Sequence, residues 1–496
     1  MNNYKHLFFL FFAVTLAEFA IAQQAGPLVL HNKRELFVDE HLIHQKNDVE
    51  LRLQTPIPMG PVMHFDKPWE GQFSTYVTVV HADDLYRMYY RGIASDNRPR
   101  AEMTCYAISV DGINWVKPNL GLFEVNGTKQ NNIVLLGSDL QTSHNLSVFY
   151  DGREGVKPEE RFKAVGGVAS NPARTLKGLY RYVSPDGIRW KLFEDSTAMF
   201  TGYAMDSQNV LTWLPEEQCY AIYLRTWTGD KPGDAKMLKG VRTVSRSTSK
   251  DFIHWSEPVQ MSFGDTPLED LYTNATQPYF RAPHLLVATP FRFAPDSKAL
   301  TEEEFDRHGI HATMRQGVSD GVFMTSRGGE RYDRTFLESF IRPGLNSYNW
   351  AARSNIPASG VVQTGDDEMS IYVTRAYGTG NVYLERLKLR LDGFASVKAG
   401  YKGGNLITKP VILKGSYIDL NYSTSSVGYV KVVLLDEKGK EIPGFGEQEA
   451  QKMVGDKIDA SVSWSNGKSL RELEGRKVRI KFILKDADLY SFGVWE

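Results

Sequence analysis

The sequence predicts an all-β protein: a five-bladed β-propeller over residues 23–398, followed by a C-terminal β-sandwich over residues 403–496. Three observations predict it. A short Asp-Gly hairpin pattern recurs through the first 400 residues, each copy follows an apolar strand, and helical periodicity is almost absent.

Before the first repeat, Lys5 and His6 precede the apolar run Leu7 to Val14, and Ala20-Ile21-Ala22 forms a small-residue cleavage signal. Residues 1–22 therefore read as a signal peptide, too short in its apolar part to anchor a protein in a bilayer. No cysteine follows that run to carry a lipid, so the expectation is an exported protein, periplasmic or extracellular, with no membrane anchor.

The repeat reads Ser109-Val110-Asp111-Gly112-Ile113-Asn114-Trp115, then Ser184-Pro185-Asp186-Gly187-Ile188-Arg189-Trp190, then Ser249-Lys250-Asp251-Phe252-Ile253-His254-Trp255. A degraded copy runs from Ser326 to Tyr332, and Leu391-Asp392-Gly393-Phe394 is a weaker relative. The first four terminal aromatics fall 75, 65 and 77 residues apart. Asp-Gly supplies the positive φ of a two-residue turn, and the Ser and Asp side chains can bond nearby amides. Each copy trails a strand: Leu85–Tyr90, Arg161–Val165, Cys219–Leu224, His284–Thr289 and Ser370–Thr374. First strands precede these at Tyr76–Val80, Leu146–Tyr150, Asn209–Trp213, near Tyr279, and at Gly360–Gln363. Five such units describe five blades. Past the glycine-rich turn at 399–404, strictly alternating segments such as 417–422 and 477–483 predict the sandwich. One helix is expected, Thr301 to His308, as a loop decoration.

A net charge of -1 provides no general attraction to nucleic acid or anionic membrane. Nine Trp, 24 Tyr and 26 Phe suit β-structure and suit stacking against sugar rings. Cys105 and Cys219 each sit within a strand, so two buried free thiols are expected. The sequence carries no phosphate-binding loop, no dinucleotide fingerprint, no HExxH and no GxSxG, and no metal site or cofactor is implied.

In a propeller the first strand of each blade lines the channel, so residues at the starts of those strands face the likeliest ligand site. There the carboxylates Glu70, Asp206 and Glu269 come from three different blades. They are the candidate catalytic residues, because glycosidic cleavage needs a carboxyl pair, and a third carboxylate can hold the acid protonated. Trp69, Asn145, Gln208, Tyr272, Asn274, Arg281, His284, Trp350 and Arg353 are the candidate substrate-binding residues. The arginines among them suit an acidic sugar, or else bridge blades by pairing with carboxylates.

The hairpin repeats, the export signal and the trailing sandwich resemble the five-bladed propeller glycoside hydrolases of the family 32 and family 43 type. That resemblance implies an acid on each of the first three blades, acting as nucleophile or base, stabiliser and general acid. By blade position Glu70 is similar to the first acid and Asp206 to a later one, while Glu269 lies a blade further on. The Asn-Asp-Pro-Asn, Arg-Asp-Pro and Glu-Cys signatures of family 32 do not occur here. The expected function is a secreted, exo-acting glycoside hydrolase whose partner is a carbohydrate. A non-catalytic carbohydrate-binding propeller and a glycan phosphorylase are the alternatives. Oligomeric state is not legible.

Overall fold

The computed structural model describes residues 27–93, 102–136, 143–167, 178–193, 198–203, 205–229 and 240–496. The expected signal peptide, residues 1–22, lies outside these residues. The described chain is nearly all strand, divided among many small sheets, with one α-helix at Glu302–Arg307 closed by a Thr301/Glu304 capping box.

Three four-stranded antiparallel sheets follow one another in the chain. The first holds Thr75–Ala82, Leu85–Ile93, Glu102–Ser109 and Ile133–Leu136. The second holds Ser147–Tyr150, Phe162–Gly166, Tyr180–Ser184 and Lys191–Leu192. The third holds Val210–Leu214, Cys219–Trp227, Arg242–Ser249 and Val259–Gln260. The next region is split between two three-stranded sheets, built on Ala282–Ala288 and on Phe291–Ala294. In the last of the series, Ile356–Pro357 and Val362–Gln363 pair with Glu368–Arg375, which pairs with Tyr383–Arg390. Its outer edge is completed by Ile57–His64, a strand from the other end of the chain.

First strands adjoin in sequence order: Thr75–Ala82 lies beside Ser147–Tyr150, that strand beside Val210–Leu214, and Val210–Leu214 beside Gln277–Tyr279. Gln277 reaches the Val361 carbonyl, and Ser359 bridges back to Thr78, so the series returns to its beginning. These strands are apolar because neighbouring sheets pack on them. Val77, Val79, Val148 and Leu211 are all buried.

The recurrent pattern does not make a two-residue turn. Ser109 to Trp115 form a loop closed by the Ile108–Val116 bridge, with only Gly112 at positive φ. Asp111 Oδ1 accepts the backbone N–H groups of Ile113 and Asn114, and Trp115 Nε1 donates to the Gly112 carbonyl. The copies at Asp186 and Asp251 repeat this arrangement, with Phe252 holding the positive φ in the latter. Asp carboxylate bonding to consecutive amides, rather than type I′ geometry, is what the pattern encodes. Cys105 and Cys219 are buried free thiols, as expected.

Residues 28–53, read from sequence with the first unit, pair with the C-terminal strands instead. Lys33–Leu36 runs against Lys477–Trp495, Val49–Leu53 against Ala395–Ala399, and Ile43–Asn47 against Gly404–Thr408. Tyr417–Leu435 takes the other edge of Lys477–Trp495, and the alternating pattern of both places Leu420, Val432, Ile480 and Phe492 in one core. The glycine-rich segment at 399–404 is a tight turn between two strands of this assembly.

Candidate active site

Near the starts of the first strands, and just past the end of Glu368–Arg375, several backbones are left-handed. Tyr76, Asn145, Ala275, Arg353 and Ala376 have φ between 48° and 59°. Non-glycine residues rarely take this conformation, and where several gather the surrounding structure must enforce it. These residues belong to four different sheet regions, and a cluster of polar side chains gathers beside them.

His144, just ahead of Ser147–Tyr150, joins two carboxylates: Nδ1 lies 2.7 Å from Glu102 Oε2 and Nε2 lies 3.0 Å from Asp206 Oδ1. Glu102 Oε1 also accepts the Asn145 N–H. Burial pulls the His144 pKa down, but the two carboxylates outweigh it and push it up to about 9. Burial favours the neutral form of Asp206, yet the His144 bond and the charges of His144, Arg225 and Arg91 hold it well below the usual carboxylate range. Glu102 is lowered by His144 and Arg91 against the same burial. These shifts favour a charged ring between two ionised carboxylates at neutral pH. Arg91 donates to Asn145 Oδ1, which turns the Asn145 amide nitrogen to within 2.9 Å of His144 Nε2. A neutral His144 would accept there; the charged ring donates to Asp206.

Glu102 is almost enclosed behind the imidazole, whereas the Asp206 side chain is 48% exposed. Asp206 is therefore the carboxylate of the triad that a ligand can touch. Around it stand Tyr76, Tyr272 and Tyr377, all buried, and the guanidiniums of Arg91, Arg225 and Arg353. Arg91 lies over Tyr76 at 4.6 Å, Arg225 and Arg353 over Tyr272 at 5.4 Å each. Arg91 also donates to Tyr377 Oη, and Arg225 to the Asp206 carbonyl. Arg242 faces Tyr272 too, but is paired with Asp270 at 3.0 Å.

Of the residues expected from sequence, Asp206, Asn145, Tyr272 and Arg353 meet in this cluster. Glu70 and Glu269 do not join it. The Glu70 side chain is fully buried in the first sheet, accepting from Tyr90 Oη, Lys117 Nζ and the Lys67 N–H. Glu269 is held by Arg292 at 2.6 Å and Arg334 at 2.7 Å, which lower its pKa against the pull of burial. Glu269 and Trp350 share a separate groove of about 880 Å³ with Arg342 and Asp320. Trp69 is a core residue bonded to Asn132. Gln208 and Asn274 are buried and tie backbone carbonyls of Tyr76 and Tyr223. Arg281 and His284 sit at the junction with the C-terminal strands, Arg281 on Asp392 and Asp459, His284 on Glu35. For Arg281 the bridging role weighed above is the one observed.

Sequence reading assigned no role in the site to Arg91, Glu102, His144, Arg225, Tyr76 or Tyr377. A signal existed for two of them: Arg91 and Arg225 each lie two residues before the end of an apolar strand and two residues after a tyrosine, Tyr89 and Tyr223. An arginine near the end of a buried strand has to be solvated by something there.

No protein-family model matches the chain, and the search of curated proteins returns no match. Solved structures do align. A protein described as a glycoside hydrolase is 12% identical with a TM-score of 0.45, covering 68% of this chain and 92% of its own. An N-acetylgalactosamine deacetylase from F. plautii, in complex with blood group B trisaccharide, is 11% identical at TM-score 0.44, covering 69% and 96%. An exo-β-1,3-galactanase from Phanerochaete chrysosporium is 10% identical at TM-score 0.37, covering 85% and 95%. Among the described residues no helix is long and apolar enough to cross a membrane.

Proposed function

We propose that this protein is an exported, exo-acting glycan-cleaving enzyme, that its small sheets are the five blades of a propeller, and that Asp206 is its principal catalytic carboxylate. The reading rests on one observation: a half-exposed, ionised Asp206 held by His144, itself held by the enclosed Glu102. Glycosidic cleavage develops positive charge on the sugar ring while the leaving oxygen takes a proton. An ionised carboxylate beside the ring serves the first need, as nucleophile, as base toward water, or as electrostatic stabiliser. The protonated His144 is the nearest proton source, and Glu102 fixes its orientation as a buried partner fixes a catalytic imidazole. The positive excess around Asp206 suits an acidic sugar. The C-terminal strands buttress the sheets through the Arg281 and His284 junction.

Asp206→Asn keeps the side-chain shape and removes the charge. Across a panel of aryl glycosides, uronides and oligosaccharides, it is expected to lower turnover about a thousandfold or more while the protein still folds. Undiminished turnover in the variant would refute the assignment. The arginines also fit a phosphorylase, in which they hold phosphate; cleavage that depends strictly on added phosphate would favour that second reading.

A further inference from the structure

The three guanidiniums beside Asp206 feel its charge but, among the described residues, none is in contact with a carboxylate. Among the described residues, Arg91, Arg225 and Arg353 make no ion pair with any carboxylate, although nearly every other buried arginine here does: Arg34, Arg334, Arg375 and Arg386 each hold one. The two carboxylates closest to them, Glu102 and Asp206, are both engaged by charged His144. Asp270 is engaged by Arg242. The tyrosines between them stay neutral, since burial raises Tyr76 and Tyr377.

This is an expensive arrangement to leave empty. Arg91 and Arg225 are 8% and 4% exposed, and Arg225 Nε is buried with no hydrogen-bond partner. Arg225, so deeply placed and incompletely bonded, is unfavourable unless a counter-charge arrives, whereas Arg91 is already held by the Phe73 carbonyl, Asn145 Oδ1 and Tyr377 Oη. Arg353 is partly exposed, makes no hydrogen bond among the described residues, and sits in left-handed backbone at φ 59°. Its guanidinium and that of Arg225 meet at the ring of Tyr272, and Arg91 reaches the same space over Tyr76. Arg91 and Arg225 come from two different sheets and Arg353 from the turn that leads into a third, so the series of sheets brings them together.

We infer that Arg91, Arg225 and Arg353 form an oxyanion subsite that receives the carboxylate or sulfate group of an acidic sugar unit, with Asp206 at its edge. The subsite rests on the glycan reading above for its location beside the reacting bond, but its charge selectivity stands by itself. Planar guanidinium forks match a carboxylate or sulfate with paired N–H donors, and a neutral hydroxymethyl group in the same position would leave them unpaired. Rejection of the neutral sugar is therefore as much a property of the subsite as attraction of the charged one.

Calorimetric titration of the full chain with galacturonate, glucuronate, galactose 6-sulfate, galactose and inorganic phosphate tests this, in wild type, Asp206→Asn and Arg353→Met. At least one acidic sugar is expected to bind about tenfold or more tightly than galactose at physiological salt. Arg353→Met should erase that preference while leaving the thermal midpoint in place, and Arg225→Lys should weaken acidic-sugar binding in the same direction. Equal affinity for charged and neutral sugars, or a preference that survives Arg353→Met, would overturn the inference. So would binding of phosphate alone, which would make the arginines a co-substrate site. Because Asp206→Asn is expected to retain the preference, a failure of the hydrolytic reading appears in turnover and a failure of the subsite appears in binding.

Discussion

His144 is the residue whose protonation ties the cluster together. Its pKa is raised in the folded protein from 6.5 to about 9, so the stabilisation it contributes is complete below about pH 6.5 and fades as pH climbs toward 9. The depressed values of Glu102 and Asp206 record the same contacts from the other side, and that contribution is lost as pH falls through the ordinary carboxylate range. The linkage amounts to on the order of 3 kcal/mol between neutral and alkaline pH. His144→Gln is expected to lower the thermal midpoint at pH 6.5 and to flatten its decline toward pH 9; melting curves across that range would show it. An identical slope in variant and wild type would mean the ring is neutral in the fold. The same residue sets Asp206 apart from the other two carboxylates singled out from sequence. Glu70 is enclosed by Lys117, Tyr90 and the Lys67 N–H, and Glu269 is held by two arginines, whereas Asp206 shares its imidazole with Glu102 and remains open to solvent.

At the scale of the element, the recurrent Ser-x-Asp-Gly-Ile-x-Trp loop works as a clip between adjacent strands and adjacent sheets. Gly187 shows why one position in it needs glycine. Its φ is +73°, and a Cβ there would run into the Tyr89 hydroxyl of the preceding sheet, with Phe162 ring atoms at 3.1 Å. Gly187→Ala combines the left-handed penalty with a clash and is expected to cost about 1–3 kcal/mol, read from the denaturation midpoint. Phe252 occupies the equivalent position in the third copy at φ 67°, with its side chain buried beside Phe193, Tyr220 and Trp255. There, packing of the aromatic ring offsets the strained backbone, so the Asp–amide bonds, common to both copies, are the invariant part of the loop. The first strands have a parallel logic: all but Val210–Leu214 start at or beside a residue turned out of ordinary strand geometry, and those turned residues are where the polar cluster assembles.

At the scale of the whole molecule, the two chain ends are interleaved. Ile57–His64 completes the sheet that contains Glu368–Arg390, and the strands before it join the C-terminal assembly. Between these parts lies a buried charge network. Arg34, 4% exposed, bonds Asp419 at 2.7 Å, Asp459 at 2.6 Å and Ser491, and lies 3.6 Å from the fully buried Asp392. Asp392 in turn accepts from Tyr279 and Ser491, and Arg281 is 3.2 Å away. Removing one partner from such a network strands buried charge, so Arg34→Ala is expected to destabilise the protein by about 3–5 kcal/mol in chemical denaturation. A loss under about 1 kcal/mol would show that the network is solvated and that the junction depends on apolar packing alone.

The sequence by itself determined the strand content, the order of the repeats, the helix at Thr301, the two unpaired thiols and the importance of the strand starts, because each is written in spacing or local chemistry. Alternation, Asp-bonded loops and a capping box act within a few residues of one another and survive being read in one dimension. Only the tertiary structure decided which carboxylate stays open, that residues 28–53 join the far end of the chain, and that Arg91, Arg225 and Arg353 gather around Asp206 with no contact ion pair among the described residues. Those outcomes depend on which partners lie opposite across sheets, at separations of tens to hundreds of residues, and a charge reveals whether it is neutralised only when its neighbours are in place.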